Sequence, residues 1–212
     1  MEHDVELSQE ERDKTIELAR MLLQFGLTTR ATHHEDKVTL ETDTTHSVML
    51  GIMASAFADK FAPQLDKGKI AQFALVHDLV EVYAGDTPTM HIMSEEEKGG
   101  KEAREAASLA RIKEEFSSTY PWIHKTIEEY ESLASPEARF IKVIDKALPK
   151  MVHIINEGTT ARSLGHTRES ASEFHEHQNE KIATTYGSDQ PEAVALLKIF
   201  VEEELKRTKY LS

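Results

Sequence analysis

The feature that most constrains the fold of this chain is the stretch ALVHDLVEVYAGDTPT, residues 74–89. Its first part is apolar nearly all round, which predicts a deeply buried helix over about residues 67–83. The same stretch carries four ionisable side chains, which are His77, Asp78, Glu81 and Asp86. Buried acids need compensating partners, so this helix must place its acids against other charged groups.

His77 and Asp78 are adjacent, so on a helix their side chains point about 100° apart and converge only on something between them. A metal ion suits that position, because imidazole and carboxylate are both ligands and the cation offsets the burial of the acid. The alternative is a surface pair or a hydrogen-bonded core histidine. The apolar residues on both sides of the pair favour the metal.

Two further residues are candidate ligands from other parts of the chain. His46, in ETDTTHSVMLGIMA, lies in the first turn of an apolar helix predicted to end near residue 61, with Val48 and Ile52 facing inward. Asp145, in ARFIKVIDKALPKM, is a lone acid among hydrophobic positions, although its flanking lysines also allow a solvated side chain. Pro149 cannot donate to the carbonyl of Asp145, which predicts a kink beside this carboxylate.

Helical periodicity dominates the rest of the chain. Capping-box pairs, Ser8 with Glu11 and Ser94 with Glu97, start two helices, and further helices are predicted near 122–133, from 136, and over 169–186 and 191–208. Residues 27–45 are polar, with one short extended segment at 38–40, and the Gly99-Gly100 pair predicts a bend. We therefore predict an all-α fold in one domain, residues 1–212.

The composition narrows the classes of function. The chain has 38 acidic and 25 basic residues, a net charge of −13, which disfavours nucleic-acid polymers and anionic membranes as partners. It has no cysteine, which excludes disulfides and thiol catalysis, while eleven histidines remain as nitrogen ligands. No signal-like or membrane-spanning run of apolar residues is present, so we expect a cytoplasmic protein.

The order His46, His77-Asp78, Asp145 resembles the H…HD…D signature of the HD-domain metal-dependent phosphohydrolases. The match is closer to the small HD-domain 5′-deoxynucleotidases, which share E-x-x-x-x-H-S, here residues 41–47, and HD-x-x-E-x-x-x-G-D-x-P-T, here residues 77–89. The resemblance spans about residues 10–155. The helices over about 160–210 carry no such motif and either complete the fold or form the face of a homodimer.

This resemblance implies a helical HD-domain bundle that holds one divalent metal ion on His46, His77, Asp78 and Asp145. It also implies that Glu81 and Asp86 act in catalysis and that Arg30 contacts the substrate phosphate. His33, His34 and Lys98 are weaker candidates for the pocket. The metal itself stays open, because such sites accept manganese, cobalt, zinc, iron or magnesium.

The implied function is hydrolysis of the phosphate ester of a small nucleotide, most directly a nucleoside or deoxynucleoside 5′-monophosphate. Within the enzymes, the alternatives are a deoxynucleoside triphosphohydrolase or a phosphodiesterase of a signalling nucleotide. A non-enzymatic alternative is a metal-containing helical module that binds a ligand. Glu81 and Asp86 disfavour this last alternative, because a structural metal site needs neither of them.

Overall fold

The computed structural model of the chain describes residues 5–88 and 90–212, so Thr89, the last residue of the second motif, and residues 1–4 lie outside it. The described residues confirm the all-α prediction, with one small β-hairpin added. The elements in chain order are α1 (Gln9–Phe25), β1 (Thr29–His33), β2 (Leu40–Thr42), α2 (Asp43–Phe61), α3 (Lys67–Val76), α4 (Glu81–Ala84), α5 (Glu95–Phe116), α6 (Trp122–Glu131), α7 (Pro136–Ile155), α8 (Thr159–Ser163), α9 (Arg168–Tyr186) and α10 (Pro191–Arg207).

The hairpin lies in the polar segment for which the sequence predicts only residues 38–40 to be extended. Strand β1 pairs antiparallel with β2, with Thr29 opposite Thr42 and His33 opposite Leu40. The sequence TRATH of β1 has no apolar alternation, and Thr32 is its one buried residue, so the periodicity gives no signal. The hairpin leads directly into α2 and carries Arg30 toward the start of that helix.

The prediction of a continuous helix over residues 67–83 is wrong. Helix α3 ends at Val76, residues 77–80 form turns, and the short α4 begins at Glu81. In these turns the Glu81 N–H donates to the carbonyl of Asp78, three residues back, at 2.8 Å. Gly85 ends α4 with φ 74°, a left-handed conformation that glycine adopts without strain. The break falls at the His-Asp pair.

Helix α7 lies at the centre of the larger hydrophobic cluster and is almost fully buried along one face. It continues through Pro149 to Ile155 as one helix, despite the kink that the sequence predicts there. Helices α2 and α3 pack against each other and both contact α7, while α10 packs along α7 and α9. Helix α10 therefore closes the core.

Two local predictions need correction. Val48 and Ile52 do not face inward on α2, since 47% and 66% of their surfaces are exposed. The core face of α2 instead uses small residues such as Ala54 and Ala58, because α3 packs closely against it. Helix α5 runs without interruption through Gly99-Gly100, since its capping box and later apolar positions outweigh the low helix propensity of glycine.

Among the described residues, none of the helices combines the length and the apolar character that crossing a membrane requires.

Candidate active site

Four side chains from three parts of the fold meet beside α7. His46 comes from the first turn of α2, His77 and Asp78 from the turn after α3, and Asp145 from the middle of α7. One ligand atom from each lies within 4.8 Å of the others. The Nε2 of His46 is 2.9 Å from Oδ1 of Asp145, and the Nε2 of His77 is 3.0 Å from Oδ2 of Asp78.

The orientation of His77 suits a metal ligand. Its Nδ1–H donates to the carbonyl of Ala74 at 2.8 Å, so Nε2 presents a lone pair toward the carboxylates of Asp78 and Asp145. That lone pair facing carboxylate oxygens is repulsive unless a proton or a cation lies between them. Burial favours the neutral ring, but the two carboxylates outweigh it and raise the pKa of His77 to about 10. A divalent cation can replace that proton, so the residues fit a metal.

A second set of acids lies next to this group. Asp43, Glu81 and Asp86 also bring one oxygen each within 4.8 Å of one another, and all three are largely buried. Burial and the neighbouring carboxylates raise the pKa of Glu81 to about 10 and that of Asp43 to about 7. Burial also raises the pKa of Asp86. The site can therefore hold protons near neutral pH, and it offers oxygens to cations.

Arg30 lies in the middle of these acids. Its guanidinium donates to Oδ2 of Asp78 at 2.6 Å and to Oδ1 of Asp43 at 3.4 Å. Burial opposes the charged form, but the carboxylates around it raise the pKa of Arg30 above its usual value. Three more carboxylates, those of Glu41, Glu81 and Asp86, lie at 3.7 to 3.8 Å from guanidinium nitrogens. Arg30 is thus fully charged and aimed into the site.

Two cavities adjoin the four side chains. The first runs along α7 and is bounded by Arg30, Asp86 and Asp145 near the acids and by side chains of α9 farther away. The second opens between α5, α6 and α7, beside His77 and Asp78. Asp145 and Lys146 line both of them. A substrate can therefore approach the site through space already present in the fold.

The remaining candidates from the sequence lie farther out. His33, His34 and Lys98 line neither of the two cavities. The main chain of His33 is held by Thr160 and Asn156 at 2.8 Å each, and Lys98 pairs with Glu95 on the surface of α5. The structure does not bring these three to the acids.

Sequence reasoning missed two residues that the structure does bring there. Glu41 and Asp43 stand in the acidic run before His46, and that run is the signal for them, although it gives no hint that both are buried. Lys101, on α5, lies 3.9 Å from Glu81 and 2.9 Å from Glu105. It belongs to the same basic segment as Lys98, residues 98–101, which the sequence marks as a possible lid over the phosphate, and the packing of α5 brings Lys101 rather than Lys98 to the acids.

A second group of buried ionisable residues lies where α7, α9 and α10 meet. Glu204 on α10 is fully buried, with its oxygens 2.8 Å from Nδ1 of His153 and 3.1 Å from Nε2 of His175. The polar pattern EFHEHQ, residues 173–178, predicts surface positions for His175 and His177, and for His175 this prediction is wrong. His177 is exposed, whereas α10 packs over His175 and provides the acid. Burial opposes ionisation of Glu204, yet the two histidines and the charge of Lys150 lower its pKa.

The chain is similar to several known proteins. The 5′-deoxynucleotidase hdd1 of Schizosaccharomyces pombe is 33% identical over 103 residues, which cover 48% of this chain and 50% of that protein. The 5′-deoxynucleotidase HDDC2 of Homo sapiens is 29% identical over 101 residues, 48% of this chain and 47% of that protein. The matched segment thus spans about half the length of these curated relatives.

A solved structure extends the likeness to the whole fold. A protein described as a predicted metal-dependent phosphohydrolase from Magnetospirillum magnetotacticum MS-1 superposes with a TM-score of 0.73 at 22% identity, covering 96% of this chain and 97% of that one. The family profile for the HD domain matches residues 24–188, which include all four converging side chains. The chain therefore belongs to the HD-domain family.

Proposed function

We propose that the protein is a metal-dependent phosphohydrolase whose divalent ion is held by His46, His77, Asp78 and Asp145. The observation that carries the proposal is the convergence of these four side chains within 4.8 Å, beside acids that hold protons near neutral pH. Both similar 5′-deoxynucleotidases and the HD-domain membership support the same chemistry.

The bound ion supplies Lewis acidity, which polarises a phosphoryl oxygen and lowers the pKa of water. Glu81 and Asp86 divide the remaining proton transfers between them. One orients the attacking water and accepts its proton, and the other protonates the leaving sugar oxygen. The raised pKa of Glu81, which burial and its acidic neighbours cause, lets that carboxyl keep a proton until the leaving oxygen needs it.

Arg30 binds the phosphate in this proposal. Its guanidinium is charged, planar and aimed into the site, so it can donate two hydrogen bonds to equatorial phosphate oxygens. Its present carboxylate contacts hold it in position before substrate arrives. A bound cation would balance the charge of the acids, and Arg30 would then be free to pair with the phosphate.

We propose a nucleoside 5′-monophosphate as the substrate, with deoxynucleoside 5′-monophosphates preferred to ribonucleotides. Among the described residues, Arg30, Lys101 and Lys146 are the cations that contact the acids of the site, and the two lysines already pair with Glu105 and Asp145. A triphosphate carries more negative charge than these groups can balance. The similar proteins named 5′-deoxynucleotidases support the same choice.

The test is an assay panel on metal-stripped protein reloaded separately with manganese, cobalt and magnesium. We expect orthophosphate from deoxynucleoside 5′-monophosphates and no tripolyphosphate from the triphosphates. Release of tripolyphosphate, or cleavage of cyclic dinucleotides alone, would identify one of the alternative hydrolases. A metal-loaded protein that is inert toward all of them would contradict the enzyme proposal.

A further inference from the structure

The cavity along α7 continues well past the acids. Five residues of α7 line it, on one face of the helix, and they are Asp145, Lys146, Pro149, Lys150 and His153. The helical rise places Lys150 roughly 7–8 Å beyond Asp145 along the axis. That separation leaves room for a sugar between a phosphate at the acids and a group that reaches Lys150.

Lys150 is a charged donor without an acceptor. Its side chain is almost fully buried, and among the described residues no oxygen forms a hydrogen bond or ion pair with its Nζ. The neighbouring buried acid, Glu204, forms a hydrogen bond with His153, and its other oxygen lies 3.1 Å from Nε2 of His175. Burial lowers the pKa of Lys150 to about 8, so the ammonium form still predominates at neutral pH. An ammonium in this environment needs an oxygen from a ligand.

Helix α9 forms the opposite wall and supplies an acceptor. The Oε1 of Gln178 is buried and has no hydrogen-bond donor among the described residues. Phe174, one turn earlier on the same face, lines the cavity too, and the Nζ of Lys150 lies 5.1 Å from the centre of its ring. This end of the cavity therefore combines a donor, an acceptor and an aromatic ring.

We propose that this end of the cavity holds the nucleobase and selects bases with a carbonyl beside a ring N–H, namely thymine, uracil and guanine. Lys150 donates to the carbonyl oxygen, and Oε1 of Gln178 accepts from the ring N–H. Phe174 packs against the base. The inference rests on the proposed nucleotidase function and names the substrates of that site.

The other ligands that fit a cavity of this kind satisfy the two polar groups less well. Cytosine and adenine present an amino group where thymine and guanine present the carbonyl, so two donors would face each other at Lys150. A second phosphate suits Lys150, but it places oxygens against the acceptor of Gln178. A base with both a carbonyl and an N–H satisfies both groups.

The experiment compares dTMP, dUMP, dGMP, dCMP and dAMP with 2-deoxyribose 5-phosphate, which has the phosphate and sugar but no base. We expect kcat/KM of the wild type to be about tenfold higher for the first three nucleotides than for dCMP and dAMP. Lys150→Met and Gln178→Leu should abolish that preference while leaving phosphate release from 2-deoxyribose 5-phosphate unchanged. Gln178→Leu should fold, because it removes a buried oxygen that has no donor. Lys150→Met also removes a charge that favours the ionised form of Glu204, so its folding is checked by circular dichroism and urea unfolding before the kinetics.

The matched control is Lys181→Met, which removes an exposed lysine of α9 that lines neither cavity and should keep the preference. Equal kcat/KM for all five nucleotides in the wild type, or an equal loss for every substrate in Lys150→Met, would overturn the base assignment while phosphate release still supports the nucleotidase. Calorimetric binding of the same nucleotides gives the ranking without turnover. If no phosphate is released, the nucleotidase fails, and equal binding of all five bases would overturn the base assignment as well.

Discussion

The molecule buries two groups of histidines and acids at different positions along α7, and they differ in charge balance. Around Glu204, one carboxylate lies between two histidines, with Lys150 nearby. At the candidate active site six carboxylates surround one arginine, two lysines and two histidines. The set is Glu41, Asp43, Asp78, Glu81, Asp86 and Asp145 with Arg30, Lys101, Lys146, His46 and His77.

We interpret the group around Glu204 as structural and the acidic group as the active site of the proposed phosphohydrolase. Glu204 is compensated by its neighbours, so its pKa is lowered and its contacts stabilise the fold. Glu81 lies among acids that the protein alone does not compensate, so burial and its neighbours raise its pKa to about 10. Natural proteins tolerate such uncompensated acids where a cation or a reaction needs them. Histidine and acid in contact are therefore not enough to indicate a metal site.

The largest expected effect separates the two groups by activity. Asp145→Asn or His46→Ala should reduce phosphate release by about 10³-fold or more, because the metal contributes several kcal/mol to the transition state. His175→Asn, in the other group, should leave phosphate release unchanged. Circular dichroism is the control that this variant is folded. Comparable losses of phosphate release in variants of both groups would contradict the assignment of activity to one of them.

Glu81→Gln tests the proton-transfer role. The variant should keep its metal, measured by inductively coupled plasma mass spectrometry, and lose roughly 10²–10³-fold in kcat. Glu137→Gln is the matched control, because Glu137 is another buried acid, which accepts a hydrogen bond from the N–H of Asp66 far from the site. Full activity in Glu81→Gln would exclude the acid–base role.

The two glutamates should change stability with opposite signs in metal-free protein. Glu204→Gln should lower the free energy of unfolding at pH 7 by on the order of 3 kcal/mol, because the neighbours of Glu204 in the folded protein favour its carboxylate form and lower its pKa. Glu81→Gln should raise it by about 1–3 kcal/mol, because it removes an acid that burial disfavours. Urea unfolding of both variants measures this difference, and a shared sign would contradict it.

The pH dependence of the same two residues follows from their pKa shifts. The pKa of Glu204 is lowered on folding, so the free energy by which it stabilises the folded protein is complete above pH 4.5 and is lost as the pH falls below that value. The pKa of Glu81 is raised to about 10. The free energy by which Glu81 destabilises the folded protein is therefore absent below pH 4.5 and grows as the pH rises toward 10. Stability measured between pH 5 and 8 should therefore be flatter in Glu81→Gln than in the wild type.

The smallest expected effect concerns Arg30. Arg30→Lys keeps a positive charge but loses the planar pair of donors, so kcat/KM for monophosphates should fall about tenfold. Arg20→Lys, on the exposed face of α1, is the control and should leave kcat/KM unchanged. If kcat/KM is unchanged in Arg30→Lys, the guanidinium serves only to balance the acids.

The sequence predicts the helical fold class well, because apolar periodicity and caps such as Ser94 with Glu97 are local signals. It fails at β1, whose polar residues lack alternation, and at the break after Val76. That break comes from packing, which sets the His77-Asp78 pair against α2 and α7. The convergence of His46 with Asp145, 99 positions apart, was available only through the family resemblance.

The same limit applies to burial. The acids before His46 look like a solvated run, yet Asp43 is fully buried, because the hairpin and α4 close over the start of α2. His175 and Glu204 lie on different helices, so neither pattern shows that they meet. Local sequence encodes which residues are polar, whereas tertiary packing decides which of them share a site.

Calorimetric titration of metal-stripped protein with manganese tests most directly whether the four converging side chains hold a metal. We expect saturable binding of at least one ion per chain, lost in His77→Ala and retained in His175→Asn. Absence of binding in the wild type, or binding of the same stoichiometry and affinity in His77→Ala, would contradict the claim that His46, His77, Asp78 and Asp145 hold the metal.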